Sequence, residues 1–304
     1  MANKIIDWLT ENENPMIKYR TLIEILGEPK DGDNRILYNS IWEHKTMVRI
    51  LQKQDENGLW ADNYGSTTFS SLRYLTTFAE YGLEKDERID RYVDHTVDFL
   101  LKNKDELAGC AAPLILRALV MLGYHRENDV MELINKFASE QHYDGGFICK
   151  RLLDKKPERK SCYKAAVAGL LLYAECKRKG VLPDNADELI YYFLKRDVFY
   201  SSDKSNATFK QGRLGWRFID NFFPVEPMRM GFPLIISALS ILGVGEHPEL
   251  TESWAILKEK SDENGKLYLE GTLTKQPCNF GKVGQPNKWI TFYALLAEKY
   301  KKSI

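Results

Sequence analysis

Residues 110–122 read Cys-Ala-Ala-Pro-Leu-Ile-Leu-Arg-Ala-Leu-Val-Met-Leu, a run whose only charge is Arg117. Apolar residues fall on every side of a 3.6-residue period, so no face is left for water. A helix of this kind has to be covered all round. The segment before it is the opposite. From Glu87 to Lys102 the chain interleaves Glu87, Arg88, Asp90, Arg91, Asp94, Asp98 and Lys102 with Ile89, Tyr92, Val93, Val97, Leu100 and Leu101. That is a charged helix with one apolar stripe, and it belongs on the outside of a fold. Phe232 to Leu242 repeats the uncharged type, with no charge at all. Pairing one helix of each type and stacking the pairs predicts an all-α fold with an inner and an outer ring. That is an α/α toroid of about five to six hairpins.

The uncharged helices share a register. Arg73-Tyr74-Leu75, Arg117-Ala118-Leu119, Ala168-Gly169-Leu170, Ser237-Ala238-Leu239 and Tyr293-Ala294-Leu295 are similar triplets. Their intervals suit two helices of about a dozen residues each plus loops. The longest interval, before Ser237, holds a Ser-, Gly-, Phe- and Pro-containing insertion over residues 197–227. At the other end, Ile5, Ile6 and Leu9, then Ile17, Leu22, Ile25 and Leu26, predict an N-terminal hairpin within residues 1–33. It is interrupted near Asn14-Pro15, ends at Gly27 and packs on the ring. The whole chain, 1–304, reads as one domain, because a repeat fold grows by adding units.

A second repeat marks the turns. Gln54-Asp55-Glu56-Asn57-Gly58-Leu59-Trp60, Gln141-His142-Tyr143-Asp144-Gly145-Gly146-Phe147 and Asp262-Glu263-Asn264-Gly265-Lys266-Leu267-Tyr268 each combine Asp, Gly and an aromatic. Asp and Gly make a tight turn in which Gly supplies the positive φ. The aromatic is expected to pack across the seam between hairpins. The Gln amide is expected to bond helix ends that the turn leaves unsatisfied.

Composition narrows the class. Hydrophobic residues make up 44% and aromatics 12%, enough for a packed core. Lys+Arg and Asp+Glu both number 43, and no basic stripe is present, which argues against a nucleic-acid binder. The densest basic cluster, Lys150, Arg151, Lys155, Lys156, Arg159 and Lys160, is interrupted by Asp154 and Glu158 and reads as a solvated loop or a phosphate site. The five cysteines have no paired spacing, which suits a reducing cytoplasm. The N-terminus shows no signal-peptide core, and Ala2 stands where myristoylation needs glycine. The uncharged run from Gly231 to Gly245 is too short to span a membrane comfortably and contains Pro233, so it reads as a buried helix.

The Gln-Asp-x-x-Gly-x-Trp and Asp-Gly-Gly-Phe turns resemble the repeat motifs of squalene cyclases and of protein prenyltransferase β subunits, both α/α toroids. The likeness covers about residues 45–300. The chain looks closest to bacterial prenyltransferase/squalene-cyclase-repeat proteins. They open with a motif like Asp7-Trp8-Leu9…Asn14-Pro15-x-x-Lys18-Tyr19-Arg20 and close with one like Gly284-Gln285-Pro286-Asn287-Lys288-Trp289-Ile290-Thr291. The resemblance implies an apolar ligand of isoprenoid type in the central cavity.

The family's catalytic groups are not all present. Squalene-type cyclisation uses an Asp-x-Asp-Asp acid cluster, and the nearest candidates, Asp31-Gly32-Asp33 and Asp184-Asn185-Ala186-Asp187, fall in predicted loops. Prenyltransferases hold zinc with Asp, Cys and His. Where the family has Asp-x-Cys-Tyr this chain has Lys160-Ser161-Cys162-Tyr163, and Ile290 stands in the place of the histidine. No zinc site and no other cofactor is implied. What remains is the diphosphate side of the pattern: Lys150, Arg151, Lys160 and Tyr163, with cationic and hydroxyl donors suited to phosphate oxygens, or an ordinary exposed loop. Cys162, at a predicted helix start between Lys160 and Lys164, is either an activated thiol or a small buried residue. Asp144 is the other weak catalytic candidate.

A toroid keeps its ligand where inner helices begin. The expected lining there includes Tyr163, Arg229, Lys288 and Trp289. Arg73 and Arg117 hold equivalent positions on adjacent inner helices. Each either binds an anionic group in the cavity or forms a salt bridge to an outer-helix carboxylate, because a buried unpaired charge is costly. Two functions follow: a cyclase- or transferase-like enzyme on an apolar small molecule, not zinc-dependent, or a non-catalytic toroid that binds a ligand or a protein partner. A glycan-processing toroid would need paired carboxylates, and the spacing of Asp144, Asp220, Glu226 and Asp262 does not pair them.

Overall fold

The computed structural model describes residues 2–60, 67–103, 107, 109–148, 160–205, 218–222, 230–272 and 280–302. These residues are all-helical. Among them no strand forms, and extended pairing is limited to isolated bridges such as Ser261 to Leu267.

The opening hairpin forms as α1, Ala2–Leu9, and α2, Pro15–Arg20, which runs on into a π-helical turn, Thr21–Leu26. The Asn14-Pro15 pair is the start of the second helix rather than merely a break. The Asn14 side chain accepts from the Ile17 amide and Pro15 takes a first-turn position where its missing N–H costs nothing. Gly27, at φ 74°, ends the segment as expected. Two further helices, α3 (Gly32–Glu43) and α4 (Lys45–Leu51), lead to the first turn motif.

From there two helix types alternate. The apolar series is α5 (Thr67–Glu80), α7 (Ala112–Leu122), α9 (Tyr163–Lys179), α11 (Phe232–Leu239) and α13 (Lys288–Tyr300). The amphipathic series is α6 (Glu87–Lys102), α8 (Asn128–Ser139), α10 (Ala186–Leu194) and α12 (Thr251–Glu259). On α7 every residue from Ala112 to Val120 is buried, and on α11 every residue is. On α6 burial is confined to one stripe, Ile89, Tyr92, Val93, Thr96, Val97 and Leu100. That helix is also well capped. Asp86 accepts from the Arg88 amide, acids occupy its first turn and Lys102 its last, all matched to the helix dipole.

Each amphipathic helix packs on an apolar one: α6 on α5, α8 on α7, α10 on α9 and α12 on α11. The apolar helices also pack on one another in chain order, α5 on α7, α7 on α9, α9 on α11 and α11 on α13. At the end of the series α13 meets the N-terminal hairpin, and its Trp289 stacks on Tyr81 just beyond α5, with ring centres 5.8 Å apart. The buried apolar residues, from Ile5 to Ala297, form one continuous cluster. Among the described residues no helix is long and apolar enough to cross a membrane.

The turn motifs work by backbone capture. Asp55 accepts from the Asn57 and Leu59 amides, and Asp262 from Asn264 and Lys266. Gln54 donates to the Arg88 carbonyl at the start of α6 and also to Gly58 in its own turn, whereas Gln141 donates to Gly145 in its own turn. In the first two turns the aromatic crosses the seam, whereas Tyr268 of the third turn is exposed. Trp60 packs on Tyr74 and Phe78 of α5 and on Tyr92 of α6, and Phe147 stacks on Phe137 of α8 and meets Tyr173 of α9 edge-on. Of the insertion expected over 197–227, residues 197–205 and 218–222 are described, and Phe199 and Phe222 are buried there.

Candidate functional site

Arg117 stands in the middle of a helix that offers it no polar neighbour, so its charge has to be met from elsewhere. It is met by Glu80, the last residue of α5, at 2.8 Å, and by the Tyr293 hydroxyl of α13, also at 2.8 Å. Tyr293 in turn donates to the other Glu80 oxygen at 2.7 Å. Arg20, from the end of α2, donates to that same oxygen at 2.8 Å and lies over the Phe292 ring at 4.4 Å. Its Nε binds Glu24 in the π turn at 2.5 Å. Arg178 closes the set by donating to Glu24 at 2.8 Å and to Glu175 at 3.0 Å, and Glu175 stands 3.7 Å from Arg117.

Three arginines and three glutamates thus balance inside the protein. The Arg20, Glu80 and Arg117 side chains are at most 2% exposed. Burial works against the charge on Arg117, but Tyr293, Glu80 and Glu175 oppose it and hold its pKa above the usual arginine value. Burial likewise works against the Glu24 carboxylate. Arg20 and Arg178 override it and bring the pKa down to about 2. The Tyr293 hydroxyl is raised, chiefly by burial, and stays protonated. Every one of these groups is committed to another, so the network is a structural hub. Of the two readings of Arg117, the internal salt bridge is the one seen. Its partner carboxylate lies on a neighbouring apolar helix, not on an amphipathic one.

Beside the hub lies a cavity of about 250 Å³. Arg20, Glu24, Glu175 and Arg178 border it, as do Lys30, Lys179 and Lys299. It therefore sits at the C-terminal ends of the apolar helices, opposite the helix starts where the sequence pointed.

The residues proposed at those starts scatter. Asp144 accepts from the Ser161 backbone amide at 3.1 Å and from the Ser161 hydroxyl, while its own carbonyl accepts from Lys195 at 2.9 Å. It ties the Gly-Gly-Phe turn to the start of α9. Cys162 is the half-buried residue before that helix, and its amide donates to the Phe147 carbonyl. Tyr163 is buried against Phe193 and Phe218 and donates to the Val198 carbonyl at 2.8 Å. Burial raises its pKa well above the ordinary tyrosine value. Lys160 is exposed and bonds Ser202 at 2.9 Å. Lys288 pairs with Glu11 at 2.7 Å and lies 5.5 Å above the Trp8 ring, so it anchors the N-terminal hairpin. Trp289 is buried in its stack on Tyr81. Arg73 is half-buried on α5, two helical turns before Glu80. Lys150 and Arg229 lie outside the described residues.

Position 290, where the resemblance places a zinc-binding histidine, is Ile290, fully buried in α13. Among the described residues no group of three His, Cys, Asp or Glu is placed to hold a metal.

The hub residues other than Arg117 were not singled out as site residues from the sequence. A signal existed. Glu80 ends a helix whose only other charge is Arg73, and Glu175 interrupts the apolar run of α9. Lone charges of opposite sign on helices that are otherwise apolar all round need each other. No family model, curated protein or solved structure matches this chain.

Proposed function

We propose that this chain is an α/α toroid that binds a small molecule without transforming it. The chain-order packing of α5, α7, α9, α11 and α13 supports the closed ring, as does the return hydrogen bond from Tyr293 to Glu80. The observation that carries the binding reading is the mutual commitment of Arg20, Arg117, Arg178, Glu24, Glu80 and Glu175. Charged side chains on inner helices would serve an enzyme by meeting substrate. Here they meet one another, and an apolar guest among them would have to break ion pairs at a cost of several kcal/mol each. The turn motifs resembling those of squalene cyclases and prenyltransferases fit a toroid, and Lys160 and Ile290 fit one that does not use the family's zinc chemistry. Thiols at Cys110, Cys162 and Cys176 that form no disulfide favour a reducing cytoplasm.

Two measurements test the proposal. Native mass spectrometry of protein purified gently from its own host is expected to reveal a retained small molecule. Incubation with farnesyl diphosphate is expected to release no diphosphate above the uncatalysed background. Enzymatic diphosphate release or a cyclised product would replace this reading with the cyclase- or transferase-like one on an isoprenoid-type substrate.

A further inference from the structure

Charge in the cavity beside the hub is not balanced. Arg20, Lys30, Arg178, Lys179 and Lys299 border it against Glu24, Glu84 and Glu175, an excess of two cations. The individual contacts identify the two. Arg20 and Arg178 are satisfied within the hub, and Lys30 pairs with Glu84. Lys299 is exposed and donates to the Glu24 backbone carbonyl at 2.8 Å, a neutral acceptor. The Lys179 side chain has no hydrogen-bond or ion-pair partner among the described residues.

Helix ends explain part of this. The C-termini of α9 and α13 border the cavity, and each carries a partial negative charge that favours nearby cations. Lys177 and Arg178 already supply the last turn of α9, so Lys179 exceeds that need. The Lys179 side chain is exposed at the rim, where partial desolvation together with Lys30 and Arg178 disfavours its charge, although Glu175 and Glu84 partly offset them. A counter-ion in the cavity would relieve that repulsion. The walls suit an organic one, because Ile23, Leu83, Met121 and Tyr300 line the same space.

We propose that this cavity binds a small organic oxyanion, a carboxylate or a phosphate ester with a short apolar body, held by Lys179 and Lys299. A concave site with excess positive charge concentrates such anions, and salt weakens the effect. The assignment deepens the ligand-binding reading above and rests on it.

Isothermal titration with butyl phosphate and with butanoate tests it, the two arms separating a phosphate from a carboxylate ligand. At least one is expected to bind, more weakly as salt rises. Lys179→Met is expected to weaken binding about tenfold or more with the melting temperature unchanged, since the exposed Lys179 side chain makes no hydrogen bond or ion pair among the described residues, and Lys179→Arg is expected to retain most of it. Equal binding by the wild type and Lys179→Met, or no heat from either anion, overturns the proposal. Native mass spectrometry then separates the two levels. A retained uncharged molecule leaves the binding toroid standing without this ligand class, and absence of any retained molecule removes both.

Discussion

Arg117 donates a hydrogen bond to the Tyr293 hydroxyl at 2.8 Å across 176 positions of chain. The two residues head equivalent triplets, Arg117-Ala118-Leu119 and Tyr293-Ala294-Leu295, on α7 and α13. Their meeting means that a shared repeat position became a shared point in space, with Glu80 bonded to both. The hub is where the first, second and last of the apolar helices are tied together.

Removing one partner of the central ion pair should cost far more than removing both. Arg117→Met leaves the buried Glu80 carboxylate with one cation fewer, and should destabilise by about 3–5 kcal/mol. Arg117→Met with Glu80→Met should be more stable than the sum of the two single changes. A double-mutant cycle by urea denaturation measures the coupling, and simple additivity would show that the pair is energetically idle.

Tyr293→Phe keeps the ring and deletes only the hydroxyl. Arg117 then loses one acceptor and Glu80 one donor, for about 1–3 kcal/mol. The loss should be smaller than for Arg117→Met, as read from the shift in denaturation midpoint. A loss as large as that of the arginine would mean that the hydroxyl, not the salt bridge, holds the three helices.

Acid should attack the hub through Glu24. Its carboxyl has a pKa of about 2 in the folded protein against 4.5 as the ordinary value. A depressed folded pKa gives stability that is complete above the unfolded value and is lost as pH falls through the folded one. The melting temperature should therefore decline between about pH 4.5 and pH 2, and Glu24→Gln should flatten that decline while lowering stability near neutrality. A wild-type acid limb unchanged in the variant would remove Glu24 from the account.

Gly145 tests the turn. Its φ is +87°, and a Cβ there would stand 2.5 Å from the Glu188 carbonyl oxygen of α10. Gly145→Ala should lose about 1–3 kcal/mol from backbone strain and the forced retreat of α10. Calorimetry gives the loss directly, and a neutral substitution would mean that the turn and α10 are not packed as described.

The sequence by itself determined what is local. The all-round apolarity of Ala112–Leu122 and the single stripe of Glu87–Lys102 dictated which helices are covered and which face water, because burial follows from side-chain periodicity along a few turns. The Asp-Gly turns, the seam aromatics Trp60 and Phe147 and the stop at Gly27 were legible for the same reason. Tertiary structure decided the partners. Arg117 needed a carboxylate, but nothing local selected Glu80, 37 positions away, or brought in Arg20, 60 positions from Glu80. Pairing buried charges is a property of helices already packed, since it is their approach that strips water from each group and leaves only the others to bind. The same packing opens a cavity at the helix ends, where the carbonyl termini of α9 and α13 gather Lys179 and Lys299 around it.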